Sequence, residues 1–80
     1  MTTVNNASRA DDAEKTLVAF VKTQYLGGNE PLEELNTDRG TYVGDLIANL
    51  LHYCDAHSLD FERLVERGTS HHYAETHGEE

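Results

Sequence analysis

The sequence is short of the features that usually stabilise a domain of its size. Its 80 residues include one cysteine, Cys54, one proline and no tryptophan. A single cysteine excludes an intrachain disulfide, and a chain this short buries only about 60% of its unfolded surface. The stabilising devices that remain are a metal, tight helix packing or association with another subunit.

Basic residues are also scarce. Six Lys and Arg stand against fifteen Asp and Glu, for a formal net charge of -9, and the six are scattered along the chain. Non-specific affinity for nucleic acid comes mainly from clustered cations, so we expect no direct binding to nucleic acid. The composition favours a partner protein with a basic surface. The alternative is that the charge only keeps a small protein soluble.

Long hydrophobic runs are absent as well. No apolar run approaches the roughly 18 residues needed to cross a bilayer. The first twelve residues, MTTVNNASRADD, lack the basic and apolar segments of a signal peptide. We therefore expect no membrane partner and a cytoplasmic location.

The apolar periodicity predicts an all-α fold, a small three-helix domain with an extra short helical turn. The long helices are expected at about 9–26, from Thr37 or Asp38 to about 57, and at about 61–75, with the short turn starting at Pro31. Ser8 and Asp11 have capping-box spacing, and Gly27 with Gly28 predicts a left-handed end to the first helix. We expect a flexible N-terminus at 1–8, a helical domain at 9–76 and a flexible tail at 77–80.

The expected core is thin. Leu32 and Leu35 of the short turn are predicted to contact it. The clearest apolar stripe lies on the second long helix and consists of Val43, Leu46, Ile47, Leu50, Leu51 and Cys54. Phe61, Leu64 and Val65 continue it on the last helix. Because so few large apolar residues are available, a homodimer or a fold completed by a partner is favoured.

Histidine and cysteine form two groups along the chain. His52, Cys54 and His57 lie near the end of the second long helix, and His71, His72 and His77 near the end of the third. Zinc requires four converging ligands, and antiparallel helices would hold the two groups apart. We therefore predict no metal site and no cofactor. Cys54 is interpreted as a core residue and His57 as the end of its helix.

Two carboxylates have a spacing used by magnesium enzymes. Glu30 and Glu33 form an ExxE pair, which would place both on one helical face, as in small all-helical nucleotide pyrophosphohydrolases. That family pairs ExxE with ExxD on the next helix. Asp45 and Asp55 have no acid three or four residues away. A reduced relative of these enzymes stays an alternative, and no catalytic residue is predicted.

The polar face of the second long helix and the acidic segment before it are the predicted partner-binding surface. Both carry negative charge at positions that the core does not use, and Tyr25, Tyr42, Tyr53 and Tyr73 flank the apolar stripes. The candidate contact residues are Glu30, Glu33, Glu34, Asp38, Asp45, Asn49, His52 and Asp55.

Parts of the chain resemble short, uncharacterised helical proteins of phages, plasmids and integrative elements. The resemblance rests on residues 45–55 (DLIANLLHYCD), 59–61 (LDF) and 72–75 (HYAE). It implies a setting and no catalytic role. Small acidic proteins in that setting include anti-CRISPR and antirestriction inhibitors, some of which mimic nucleic acid. By this similarity of type, we predict an inhibitor or adaptor that occupies a basic nucleic-acid-binding surface, in the host cytoplasm if phage-encoded. A regulatory homodimer is a further alternative.

Overall fold

The computed structural model describes residues 5–25 and 27–78 and is all-helical over these ranges, as the sequence predicts. Its helices are α1 (Asn6–Gln24), α2 (Pro31–Thr37), α3 (Arg39–Ala56) and α4 (Phe61–Thr76). The seven-residue α2 is the predicted extra turn, and the other three are the predicted long helices. Within the described ranges, no helix is long and apolar enough to cross a membrane.

The start of α1 differs from the prediction. Asn5 is the N-cap, and its side chain accepts a hydrogen bond of 2.9 Å from the Ser8 amide. Ser8 is therefore the third residue of the helix and closes a capping box with Asn5. The expected box of Ser8 with Asp11 is wrong, and the helical domain begins at Asn6, three residues earlier than expected. Asn5, Asn6 and Ser8 are all residue types that cap helices well, and the sequence alone does not rank them.

The end of α1 is also built differently. The helix stops at Gln24, and Tyr25 leaves in an extended conformation, with φ -118° and ψ 122°. Neither Gly27 nor Gly28 has a positive φ, so the expected left-handed glycine cap is wrong. A Cβ at Gly27 would overlap the end of the Tyr25 side chain, so a larger residue there would require the Tyr25 ring to move. The expected last residue of this helix, Leu26, lies outside the described residues.

Local capping signals set the boundaries of α2, α3 and α4 as predicted. Pro31 occupies the first turn of α2. Asp38 caps α3 by accepting a 3.1 Å hydrogen bond from the Thr41 amide, and Asp60 caps α4 in the same way with Arg63. α3 is continuous from Arg39, although Gly40 and Gly44 lie in its first two turns.

The joint between α3 and α4 contains a left-handed residue. Ser58 has φ 57°, and the Leu59 amide reaches back to the Cys54 carbonyl at 2.9 Å. These features define a Schellman motif, in which the left-handed position usually holds glycine. At the end of α4 the equivalent position is Gly78, with φ 101°. Ser58 therefore adopts a left-handed backbone conformation that is unfavourable for a residue with a Cβ atom.

The core is smaller than the apolar pattern predicts. Among residues 5–25 and 27–78, the buried hydrophobic residues are Val21, Leu35 and Cys54, one each from α1, α2 and α3, and these helices contact one another. No residue of α4 is buried. The C-terminal end of α4 is held to α1 by an Arg9–Glu75 ion pair of 3.2 Å. The side-chain amide of Asn6 also donates a hydrogen bond to the backbone carbonyl of Glu75.

Most of the predicted core stripe is exposed. Leu35 and Cys54 are buried as expected, but Leu32 is 46% exposed and Leu46 is half-buried. The remaining large aliphatic members of the predicted core are exposed, and they are Val43, Ile47, Leu50, Leu51, Leu64 and Val65. Periodicity correctly identified an apolar face, but this chain does not itself cover that face.

Candidate functional site

The acidic segment 30–38 forms α2 and its two ends. Glu30 precedes the helix as its N-cap residue, and its own amide donates to the Glu33 carboxylate at 3.2 Å. Glu30 and Glu33 are both exposed. Glu33 thus helps to start α2 and remains part of a negatively charged surface.

Glu34 connects α2 to α3. Its carboxylate accepts a 2.7 Å hydrogen bond from the Tyr42 hydroxyl and a 3.2 Å hydrogen bond from the side-chain amide of Asn29. The Tyr42 bond, followed by the Asn29 bond, lowers the pKa of Glu34 below its usual value. The same bond to Glu34 raises the pKa of Tyr42 to about 12. Glu34 is therefore ionised at neutral pH and has a structural role.

Asp38 serves α3. Besides the Thr41 amide, its carboxylate accepts a 2.7 Å hydrogen bond from the Thr41 hydroxyl. These side-chain and backbone bonds lower the pKa of Asp38. The negative charge at the start of α3 also suits the helix dipole. Three of the four predicted acidic residues in this segment thus stabilise helices, and they add charge to the surface from fixed positions.

The predicted polar face of α3 is present. Asp45, Asn49 and His52 are exposed and follow one another at i, i+4 and i+7, so they share one side of the helix. Asp55 is exposed too, but it lies about a quarter of a turn from this row. The structure therefore places three of the four predicted α3 residues in one row and the fourth beside it.

This region holds acidic side chains and, apart from Arg39 at the start of α3, no Lys or Arg. Between Arg39 and Arg63 the sequence contains no Lys or Arg. Arg39 itself reaches away to α1, where it forms an ion pair of 2.9 Å with Glu14. Elsewhere on α1, Lys15 pairs with Asp11 at 3.3 Å. We name Glu30, Glu33, Glu34, Asp38, Asp45, Asn49, His52 and Asp55 the acidic surface.

The opposite side of α3 was missed as a candidate site, because its residues were assigned to the core. It continues into an open, apolar groove of about 390 Å³ at the α3–α4 joint. The groove is lined by Leu50, Tyr53, Cys54, Leu59, Phe61, Leu64 and Val65. An exposed contiguous apolar area of this kind marks an interaction surface.

Two of the histidines, His57 and His77, stand at helix ends. His57 ends α3, as predicted, and its ring lies 4.2 Å from that of Tyr53. His77 ends α4 and stacks on Tyr73 at 3.8 Å. The two helices therefore finish with the same Tyr-x-x-x-His arrangement. Within the described ranges, no three His, Cys, Asp or Glu side chains are grouped as a metal site requires.

The ExxE pair does not have the expected geometry. Glu30 stands before the first turn of α2 instead of on it, and Glu33 is engaged in capping. The two carboxylates are therefore not presented together on one helical face. This arrangement gives no support to the nucleotide-hydrolase alternative.

Comparisons with known proteins supply no relative for this chain. No family model matches it, and no curated protein or solved structure is significantly similar to it. The interpretation of the site consequently depends on its geometry and charge.

Proposed function

We propose that this chain is a non-enzymatic, acidic protein-binding domain, an inhibitor or adaptor that occupies a basic, nucleic-acid-binding surface of a partner protein. The observation that carries the proposal is charge of one sign on exposed positions of α2 and α3, away from the chain's own basic residues. Basic surfaces attract such a domain over a distance and orient it on approach.

The fixed carboxylates support this role. Glu34 and Asp38 are held by hydrogen bonds that keep their pKa values low, so they stay charged at neutral pH. A positioned charge loses less conformational freedom on binding than a charge on a free side chain. The row on α3 adds exposed groups beside them. Phage or mobile-element inhibitors of host defence, such as anti-CRISPR proteins, are the class in which we place this function.

Two variants with equal net charge test the proposal. The first neutralises the acidic surface with Glu30→Gln, Asp45→Asn and Asp55→Asn. The second neutralises exposed acids elsewhere with Asp12→Asn, Glu62→Gln and Glu66→Gln. Glu30→Gln keeps a side-chain oxygen that can accept from the Glu33 amide in the capping box of α2, and the other five side chains take part in none of the hydrogen bonds or ion pairs described above, so both variants should keep the fold.

The assay is recovery of nucleic-acid-binding proteins from lysate at low salt, followed by titration of the recovered protein. We expect the first variant to bind about tenfold more weakly, if each exposed charge contributes about 0.5 kcal/mol. The second should bind like the unmodified chain, and rising salt should weaken every complex. Equal affinities for the two variants, or affinity that does not change with salt, would refute the proposal.

A further inference from the structure

The apolar side of α3 and α4 is the most unusual surface of the molecule. Its residues are between 37% and 48% exposed, although they recur at the spacing of a buried helix face. We name Val43, Ile47, Leu50, Leu51, Leu64 and Val65 the apolar face. It contains no charged side chain, and on α3 it lies opposite the row of Asp45, Asn49 and His52.

The size of the molecule indicates how much surface is uncovered. The accessible surface is 6277 Å². A compact protein of 9.0 kDa is expected to expose about 4,850 Å², so the excess is up to about 1,400 Å². The radius of gyration is 14.7 Å, against about 11.6 Å for a compact chain of this length. An obligate homodimer buries about 1,000 Å² or more on each subunit, which this excess can supply.

We infer that the apolar face is a homodimer interface and that a second copy of this chain covers it. In the part of the chain that the structure describes, three hydrophobic residues are buried, which is too few to give an isolated domain the stability that it needs, and the single cysteine allows no intrachain disulfide to compensate. A second copy is present whenever the chain is made. A two-fold axis beside α3 places the same apolar face on both sides of the contact.

Charge and backbone shape both fit this occupant. Two chains that each carry a net charge of -9 repel one another, so they can associate closely only through an uncharged face. Gly44 lies on the same side of α3 as Ile47 and Leu51, at i+3 and i+7. A Cβ at Gly44 would meet no atom of its own chain within 4 Å. This opening allows a second helix to approach α3 closely.

The dimer has a consequence for binding. Because the acidic row lies opposite the apolar face on α3, the two acidic surfaces of a dimer point outward. One dimer would then present two copies of the surface to basic partners and gain avidity where both are engaged. This consequence rests on the proposed function, whereas the dimer itself does not.

The direct test is sedimentation equilibrium of the full chain, together with two variants that each add one negative charge. Leu51→Asp places the charge on the apolar face, and Asn49→Asp places it on the opposite side of the same helix. We expect the unmodified chain and Asn49→Asp to show twice the 9.0 kDa mass, and Leu51→Asp to dissociate. A mass of 9.0 kDa for the unmodified chain, equal masses for the two variants, or dissociation by Asn49→Asp alone would overturn the inference.

A second measurement needs no variant and covers the case in which Leu51→Asp fails to fold. The melting temperature of a dimer rises with protein concentration, while that of a monomer does not. We expect the unmodified chain to melt at higher temperature as its concentration increases. A melting temperature independent of concentration would overturn the inference. Because no partner protein is present in either experiment, their outcome is separate from that of the charge-variant assay.

Discussion

Leu35→Ala is the substitution that tests the packing of this fold most severely. Leu35 is 0% exposed and belongs to α2, which contacts both α1 and α3. Truncation of a fully buried leucine costs about 2–5 kcal/mol, because transfer free energy is lost and a cavity remains. The total stability of an 80-residue domain is about 4–12 kcal/mol. We therefore expect Leu35→Ala to remove a large part of the free energy of unfolding.

The same helix provides a matched control. Leu32 is 46% exposed, so Leu32→Ala removes about half as much buried area and leaves no closed cavity. At about 0.8 kcal/mol per buried methylene, we expect a loss of about 1 kcal/mol. The assay is urea unfolding followed by circular dichroism, with all proteins at one concentration. Equal losses of unfolding free energy for the two variants would refute the placement of α2, because that placement buries Leu35 and leaves Leu32 half exposed.

Two further predictions concern the helix joint and the Glu34–Tyr42 hydrogen bond. Ser58→Gly should stabilise the chain by about 0.5 kcal/mol. Glycine removes the steric cost of the left-handed conformation at this position, and this gain exceeds the extra conformational entropy that glycine loses on folding. The same substitution inside α4, Ser70→Gly, should destabilise it by about 0.5 kcal/mol, and a loss from both in urea unfolding would contradict the Schellman assignment. The pKa of Tyr42 is raised to about 12, so its contribution to stability is complete below the usual pKa near 10 and is lost as pH rises towards 12. Tyr42→Phe should abolish that alkaline loss in melting curves, and an unchanged pH dependence would show that the bond is not formed.

The parts of the fold that were predictable depend on neighbouring residues in the sequence. Asp38 and Asp60 precede apolar helical patterns and cap them, and Pro31 fits a first turn because its missing N–H is not needed there. Asn5 was missed because Asn5, Asn6 and Ser8 can all serve as caps. The end of α1 was missed because an extended Tyr25, and not a glycine, terminates it.

The candidate site was predictable in its residues and less so in their roles. Exposure of Asp45, Asn49 and His52 follows from their position opposite the apolar stripe of α3. The engagement of Glu34 depends on Tyr42, eight residues away on another helix, and sequence spacing does not reveal that contact. Ile47 and Leu50 show the larger difficulty, since periodicity identifies an apolar face without indicating which chain covers it.

The measurement that tests the proposed function most directly is a competition experiment on the partner recovered by the acidic surface. Duplex DNA is titrated into the preformed complex, and the bound fraction of this chain is followed. If the chain occupies a basic nucleic-acid-binding surface, DNA should displace it, and the acidic-surface variant should be displaced at lower DNA concentration than the matched control. A complex that binds DNA while retaining this chain in full would contradict the account.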